Sequence, residues 1–160
     1  MTNPYDWQNY GYGKSPFRLP TERAAWVVFN AAREAARSEA SAVETEHLLL
    51  ALTTEPDSMA ARILVQSGVG LDTIRASLER KVIVHQGDAH EVERLLSPGA
   101  KRVIDYAHDE ARQLDNLFIG VEHLLMGLLR EQEGIAWSVL SEIGVQLETV
   151  RSAAHAMKWG

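Results

Sequence analysis

Two glutamate–histidine pairs and two hydroxyl residues have types and positions that could bind a small charged group. Glu46 and Glu122 each precede a histidine at the predicted start of a helix, and Thr21 and Ser97 stand where two further helices are predicted to begin. The start of a helix exposes backbone N–H groups and the positive end of the helix dipole, which attract anions, whereas a carboxylate attracts cations. A ligand with both charges would suit these positions. The alternative is ordinary helix capping, in which the hydroxyls accept hydrogen bonds from their own helices and the carboxylates offset the dipole.

These glutamate–histidine pairs do not predict a zinc site of the H-E-x-x-H type. That motif needs two histidines four residues apart on one helix face, and here each helix has one histidine, whose neighbouring glutamate is expected to point in a different direction. The chain has no cysteine, no G-x-x-x-x-G-K-[ST] phosphate loop and no G-x-S-x-G nucleophile elbow. We therefore expect no metal, no cofactor and no catalytic residue, and thus a protein that is not an enzyme.

An internal repeat relates the four candidate positions. Residues 21–78 align without a gap with residues 97–154 at an offset of 76, and 18 of the 58 aligned pairs are identical. A duplication means two copies of one structural unit, so a site present in one copy is expected in the other. Thr21 therefore corresponds to Ser97, and Glu46 corresponds to Glu122.

Apolar residues recur at helical spacing in both repeats and predict four short helices in each. Thr21 and Ser97 are predicted N-caps of the first helix of each repeat, and Thr45 is a predicted cap of the second helix. Gly68 and Gly144 are predicted to end the third helices in the left-handed conformation. The predicted fold class is all-α: two tandem four-helix repeats related by pseudo-two-fold symmetry, with about eight helices in two bundles of four.

A polar, aromatic segment precedes the first repeat, and a linker separates the repeats. The segment has no helical periodicity and is predicted to be either disordered or packed on the surface through Trp7, Tyr10 or Phe17. The predicted boundaries are an N-terminal tail at 1–20, the first repeat at 21–80, a linker at 81–96 and the second repeat at 97–157.

Composition argues against several classes of partner. The net charge is −6, so nucleic acid is not expected as a partner, because phosphate contacts need clustered Lys and Arg. No apolar run is long enough to span a bilayer, and the start of the chain does not resemble a signal sequence. The absence of cysteine fits a reducing compartment, so we expect no membrane association and a cytoplasmic location.

Residues 17–155 resemble the double repeat of the Clp N-terminal (Clp R) domain, most closely the N-domain of the ClpC-type AAA+ unfoldases. The resemblance rests on four strings that occur at the family's spacing: TERAAWVVFNAAREA, TEHLLLAL, SPGAKRVIDYAHDEA and VEHLLMGLLREQEGIAWSVLSEIGV. It implies an all-helical domain that recruits substrates and adaptor proteins and has no activity of its own.

In ClpC-like proteins each repeat can bind phosphoarginine, a degradation mark on substrates. The family's threonine and glutamate fall on Thr21 and Glu46 in the first repeat and on Ser97 and Glu122 in the second. A phosphoguanidinium offers N–H donors to a carboxylate and phosphate oxygens to hydroxyl and backbone N–H groups. The resemblance therefore implies a phosphoarginine- or substrate-binding pocket in each repeat.

The first repeat departs from the family pattern close to its two candidate residues. Glu44 stands where the family has glycine and adds a negative charge near the place where a phosphate would bind. Ala25-Trp26 stands where the family often has basic residues. We therefore expect the site of Glu46 with Thr21 to be weakened.

The second repeat departs less from the pattern. Val121 replaces a threonine and Gly99 replaces an arginine, but Gly120 and Lys101-Arg102 are retained. We therefore expect Glu122 with Ser97 to be the better-preserved site.

Three roles are compatible with the resemblance. We favour a stand-alone Clp N-domain-like protein that binds protein substrates, adaptors or a ClpC-type ATPase, because the aromatic segment before Phe17 is longer than is usual in the family. One alternative is an accessory subunit that docks on a ClpP-type protease ring. Another is the N-terminal recognition domain of a full Clp ATPase.

Overall fold

The computed structural model describes residues 5–12, 18–81 and 95–159 as an all-helical protein. Within these ranges a 3₁₀ helix, Trp7–Tyr10, precedes eight α-helices. The first repeat contains α1 (Glu22–Arg37), α2 (Thr45–Leu52), α3 (Met59–Gln66) and α4 (Leu71–Lys81). The second contains α5 (Pro98–Gln113), α6 (Val121–Arg130), α7 (Ile135–Ile143) and α8 (Leu147–Trp159). Each helix of the second repeat begins 76 residues after its counterpart, as the sequence repeat predicts. No helix in the described ranges has the length and apolar character required to cross a membrane.

Local capping explains where most of the helices begin and end. The hydroxyl of Thr21 accepts a hydrogen bond from the N–H of Ala24 at 3.2 Å, and the hydroxyl of Ser97 accepts one from Ala100 at 3.1 Å. Gly68 and Gly144 follow α3 and α7 with φ of 81° and 97°. These predicted caps are confirmed.

The prediction that Thr45 caps α2 is wrong. Glu44 is the N-cap residue, and Thr45 is the first helical residue. The Thr45 hydroxyl is buried and accepts a hydrogen bond from the N–H of Ala136 in α7 at 3.4 Å. A contact between the repeats therefore decides the role of this side chain, which a local sequence pattern does not reveal.

The two repeats share one hydrophobic core. Helix α6 packs against α1, α2 and α3 as well as against α5, and α4 packs against α7. The buried apolar residues of both repeats form a single cluster. The number and order of the helices agree with the predicted fold class of two tandem four-helix repeats, and the structure adds that the repeats share one core.

Two isolated parallel β-bridges join a segment of one repeat to a segment of the other. Pro20, just before α1, pairs with Ile119, just before α6, while Leu96, before α5, pairs with Val43, before α2. Thr21 N–H donates to the carbonyl of Ile119 at 2.8 Å. Ser97 N–H donates to the carbonyl of Val43 at 2.9 Å. The start of the first helix in each repeat thus lies beside the start of the second helix in the other repeat.

The described part of the N-terminal segment packs against the helical core. Trp7, Tyr10 and Tyr12 are buried. The carbonyl of Tyr10 accepts a hydrogen bond from the N–H of Leu96 at 2.8 Å, and the Tyr12 hydroxyl donates to Asp105 at 2.9 Å. Burial, and then the bond to this carboxylate, raise the pKa of Tyr12. The alternative of a packed segment is thus confirmed for residues 5–12, whereas Phe17 and residues 82–94 of the linker lie outside the described residues.

Helices α5 and α6 approach so closely that only glycine fits at position 127. A Cβ added to Gly127 would overlap the carbonyl oxygen of Val103. We expect Gly127→Ala to lower the free energy of unfolding by about 1–3 kcal/mol, because helix backbones must separate to admit the methyl group. Urea denaturation followed by circular dichroism measures this change. Gly99→Ala is the control, since a Cβ there makes ordinary contacts at 3.7 Å. Equal midpoints for the two variants would contradict the close approach of α5 and α6.

Candidate functional site

Glu122 lies in the first turn of α6 with its carboxylate folded back over the N-cap residue. Its side chain is 14% exposed to solvent, so the carboxylate is largely removed from water. A Cβ added to Gly120 would collide with the Glu122 carboxylate, so glycine is required for this placement. The first repeat has Glu44, a residue with a Cβ, at the equivalent position.

Both candidate glutamates are poorly solvated as anions. Burial raises the pKa of Glu122, while a hydrogen bond from its own backbone N–H acts in the opposite direction. Burial also raises the pKa of Glu46, and the nearby charge of Glu44 adds to the increase. A partly desolvated carboxylate that retains access to solvent gains more from a cationic ligand than a fully hydrated one, because less water has to be displaced.

The histidines next to these glutamates have structural roles. His47 Nδ1 accepts a hydrogen bond from the Glu44 N–H at 2.9 Å, and His123 Nδ1 accepts one from the Gly120 N–H at 2.8 Å. Each ring therefore satisfies a free N–H group at the start of its helix. Burial lowers the pKa of His47 to about 4, so its imidazole is neutral at physiological pH.

The glutamate and histidine of the second repeat lie closer together than adjacent helical positions suggest. An oxygen of the Glu122 carboxylate is 3.3 Å from Nδ1 of His123. The prediction that these side chains point in different directions is therefore wrong for this pair, because the carboxylate folds back toward the start of the helix. In the described part of the chain, no group of three or more His, Asp and Glu side chains could hold a metal ion.

The two β-bridges between the repeats determine which segment lies beside each candidate residue. Thr21 is hydrogen-bonded to the segment that leads into Glu122, and Ser97 is hydrogen-bonded to the segment that leads into Glu46. A Cβ on Gly99, next to Ser97, would lie 3.7 Å from the methyl group of Thr45. The backbone contacts of both helix starts thus run between the repeats, whereas the pairs expected from the sequence, Ser97 with Glu122 and Thr21 with Glu46, each lie within one repeat.

The two pairs differ in their access to solvent. Thr21 is half-buried, whereas Ser97 is 5% exposed. The N-terminal segment lies against the start of α5, because a Cβ on Gly11 would be 3.5 Å from Leu95 and 3.8 Å from the side chain of Lys101. The helix start at Thr21, beside Glu122, is thus the more accessible place for an anion.

A cleft of about 800 Å³ opens beside Thr21 and was not predicted from the sequence. Its walls come from the N-terminal segment, which includes Tyr5, from the first turns of α1, which include Trp26, and from Glu55 after α2. Two features of the sequence could have indicated it: the aromatic residues of the N-terminal segment, and Trp26 at a position where the related family often has a basic residue.

Comparison with known proteins gives a consistent family assignment. The model of the Clp repeat (R) N-terminal domain matches residues 19–104 and 95–157. The chain is 38% identical over 132 residues to the ATP-dependent Clp protease ATP-binding subunit ClpC of Staphylococcus aureus, which covers 82% of this chain and 16% of that protein. The ClpC subunit of Staphylococcus epidermidis matches with the same identity and coverage. The chain thus spans less than a fifth of the length of these relatives.

Solved structures agree with the sequence matches. The N-terminal domain of the chaperone ClpD from Arabidopsis thaliana has a TM-score of 0.68 at 27% identity, covering 92% of this chain and 99% of that one. The N-terminal domain of Hsp104 from Candida albicans has a TM-score of 0.72 at 18% identity, covering 88% and 92%. A ClpV N-domain solved in complex with a VipB peptide has a TM-score of 0.66 at 16% identity, covering 88% and 96%.

Proposed function

The chain belongs to the Clp repeat (R) N-terminal domain family, and from this premise we propose that it is a non-catalytic module that binds protein substrates or adaptors of a Clp protease and chaperone system. The family match covers both repeats. A ClpV N-domain with the same fold has been solved with a bound VipB peptide, which supports a protein-binding role. The similarity to ClpC subunits supports a connection to Clp proteolysis.

We further propose that the best-placed ligand site joins the start of α1 at Thr21 to the carboxylate of Glu122, and that it binds phosphoarginine. The observation that supports this most directly is the hydrogen bond from Thr21 N–H to Ile119, which joins the start of α1 to the segment that leads into the partly buried Glu122. The N–H groups at the start of α1 suit the phosphate oxygens. The Glu122 carboxylate suits the guanidinium N–H groups.

The pseudo-symmetric pair, Ser97 with Glu46, is proposed as the weaker site. Ser97 is 5% exposed whereas Thr21 is half-buried, so Ser97 is the less accessible of the two hydroxyl residues. The charge of Glu44 lies near Glu46 and raises the pKa of Glu46, and the same charge would repel a phosphate.

Titration of isotope-labelled protein with phosphoarginine, followed by NMR, tests this site. We expect amide shifts at Thr21–Ala24 and at Gly120–Glu122. Glu122→Gln, which keeps the shape of the side chain but removes its charge, should weaken binding at least tenfold, because a charge-assisted hydrogen bond to the guanidinium is lost. Separate titrations with arginine and with inorganic phosphate show which residues respond to the guanidinium and which respond to the phosphate.

Glu133→Gln is the matched control, since it removes the same charge from a side chain that is 86% exposed. Equal affinities in the two variants, or shifts confined to residues away from α1 and α6, would argue against the Glu122 site. The protein-binding role would then rest on other surfaces of the domain.

Two wider roles follow from the family. The similarity to ClpC subunits favours a recognition domain that works together with an ATPase of the Clp type. Docking on a ClpP-type ring and a cytoplasmic location stay predictions. Pull-down of the protein with purified ClpC-type ATPase and, separately, with ClpP distinguishes recruitment to the ATPase from docking on the ring.

A further inference from the structure

The internal repeat allows one half of the molecule to be compared with the other at the cleft. In the second repeat, Glu131 follows α6 with its side chain 4% exposed, and Nε of Arg102 donates to its carboxylate at 2.6 Å. The equivalent positions in the first repeat are Glu55 and Trp26. The glutamate is thus retained in both halves, but the guanidinium that binds it is present only in the second.

Glu55 lines the cleft beside Thr21 and is half-buried. In the described part of the chain no hydrogen bond or ion pair engages its carboxylate. The pseudo-symmetry indicates what chemistry fits this carboxylate, because its counterpart Glu131 is bound by an arginine side chain. Among the residues that the structure describes, the first repeat therefore has the acceptor of a guanidinium–carboxylate pair but no donor bound to it.

The aromatic side chains at the cleft suit a cation as well. Trp26 and Tyr5 both line the cleft, and their ring centroids are 5.9 Å apart. Phe29 lies behind them, 5.3 Å from Tyr5 and 5.4 Å from Trp26. Faces of Trp and Tyr attract cations, and the planar guanidinium stacks on them more readily than an ammonium group does.

The charged residues of the cleft also favour a cation. Its charged lining residues are Asp6, Glu22, Glu55 and Arg23, so acidic groups outnumber the single basic one. The whole protein is also negative, with a net charge of −6. The carboxylates on this wall of the cleft therefore attract a cationic side chain.

We propose that this cleft binds an unmodified arginine side chain of a protein partner, with the guanidinium held by the Glu55 carboxylate and stacked on Trp26 or Tyr5. The inference rests on the proposed role in protein binding, but it concerns the carboxylate of Glu55 and not that of Glu122; Thr21 lies at the edge of both sites. The ligand guanidinium takes the place that Arg102 occupies beside Glu131 in the other half. A partner segment with an arginine at this cleft would be selected independently of phosphorylation.

The probe is a blocked peptide, acetyl-Ala-Ala-Arg-Ala-Ala-amide, titrated into labelled full-length protein and followed by NMR. We expect shifts of the Trp26 indole and of the Glu55 amide. The citrulline peptide, which has the same shape without the charge, should bind at least tenfold more weakly. Glu55→Gln should weaken binding of the arginine peptide to a similar degree. Asp57→Asn removes the same charge from an exposed neighbour and should change the affinity for this peptide less than twofold.

Trp26→Arg provides a second variant that uses the symmetry directly. It introduces the guanidinium of the second repeat into the first, where it is expected to bind Glu55 and fill the cleft. Binding of the arginine peptide should then be lost while the helical circular dichroism and the melting temperature are maintained. Unchanged binding in Trp26→Arg or in Glu55→Gln would overturn the proposal, and equal binding of a lysine peptide would overturn its preference for guanidinium.

The same titrations separate this site from the phosphoarginine site. If Glu55→Gln no longer binds the arginine peptide but still binds phosphoarginine, the result supports the cleft as the arginine-binding site. Loss of phosphoarginine in Glu122→Gln, with the arginine peptide still bound, leaves the cleft supported and identifies Glu122 as the separate site. Loss of both ligands in either single variant would contradict two separate sites.

Discussion

Replacement of Glu110 by alanine is expected to lower the free energy of unfolding by about 3 kcal/mol, because it leaves two arginines without their shared buried partner. Glu110 on α5 is 1% exposed. Its carboxylate accepts hydrogen bonds from Arg151 on α8, at 3.0 Å from Nε, and from Arg130 on α6, at 3.3 Å. The arginine side chains keep 30% and 24% exposure, so the expected cost lies at the lower end of the range for breaking a buried ion pair.

Glu34→Ala is the matched control for this prediction. Glu34 is the counterpart of Glu110 in the first repeat, but its carboxylate is paired with Arg37 on the same helix and its side chain is 25% exposed. A surface pair of this kind contributes at most about 1 kcal/mol. Chemical denaturation of both variants, with circular dichroism to confirm that they fold, gives the comparison. Similar losses of stability at the two positions would show that Glu110 does not join α5, α6 and α8.

Acidification is expected to destabilise the protein through His47 by up to about 3 kcal/mol. Burial lowers the pKa of this histidine from 6.5 to about 4 in the folded state. One pKa unit corresponds to about 1.4 kcal/mol. The unfolded chain therefore binds more protons than the folded protein between these pH values, and stability that is present above pH 6.5 is lost as the pH falls toward about 4.

His47→Gln isolates this contribution, because glutamine can accept the hydrogen bond from Glu44 and remain uncharged. The raised pKa values of Glu46 and Glu122 act in the opposite direction, so the quantity to measure is the difference between wild type and variant. We expect the free energy of unfolding of His47→Gln to fall less steeply from pH 7 to pH 4.5. His155→Gln, which removes an exposed histidine of α8, is the matched control. Parallel curves for wild type and His47→Gln would contradict a neutral, buried His47.

The helices, their caps and the repeat could be predicted because they depend on residues close together in the sequence. The cap at Thr21 is made with Ala24, three positions away, and Gly144 ends α7 through its own backbone conformation. The same locality accounts for the error at Thr45, whose hydroxyl is engaged by Ala136 in a helix of the other repeat. The family resemblance also follows from sequence, since the matching strings occur in both halves.

The sequence by itself thus determined an all-helical tandem repeat of the Clp R type, together with the four candidate residues. The tertiary structure decided which of those residues are neighbours, because Thr21 pairs with the segment before Glu122 and Ser97 with the segment before Glu46. It also brought Tyr5 of the N-terminal segment against Trp26 and formed the cleft with Glu55. These arrangements depend on packing between segments far apart in the chain, and periodicity along one helix contains no information about which distant helix it will meet.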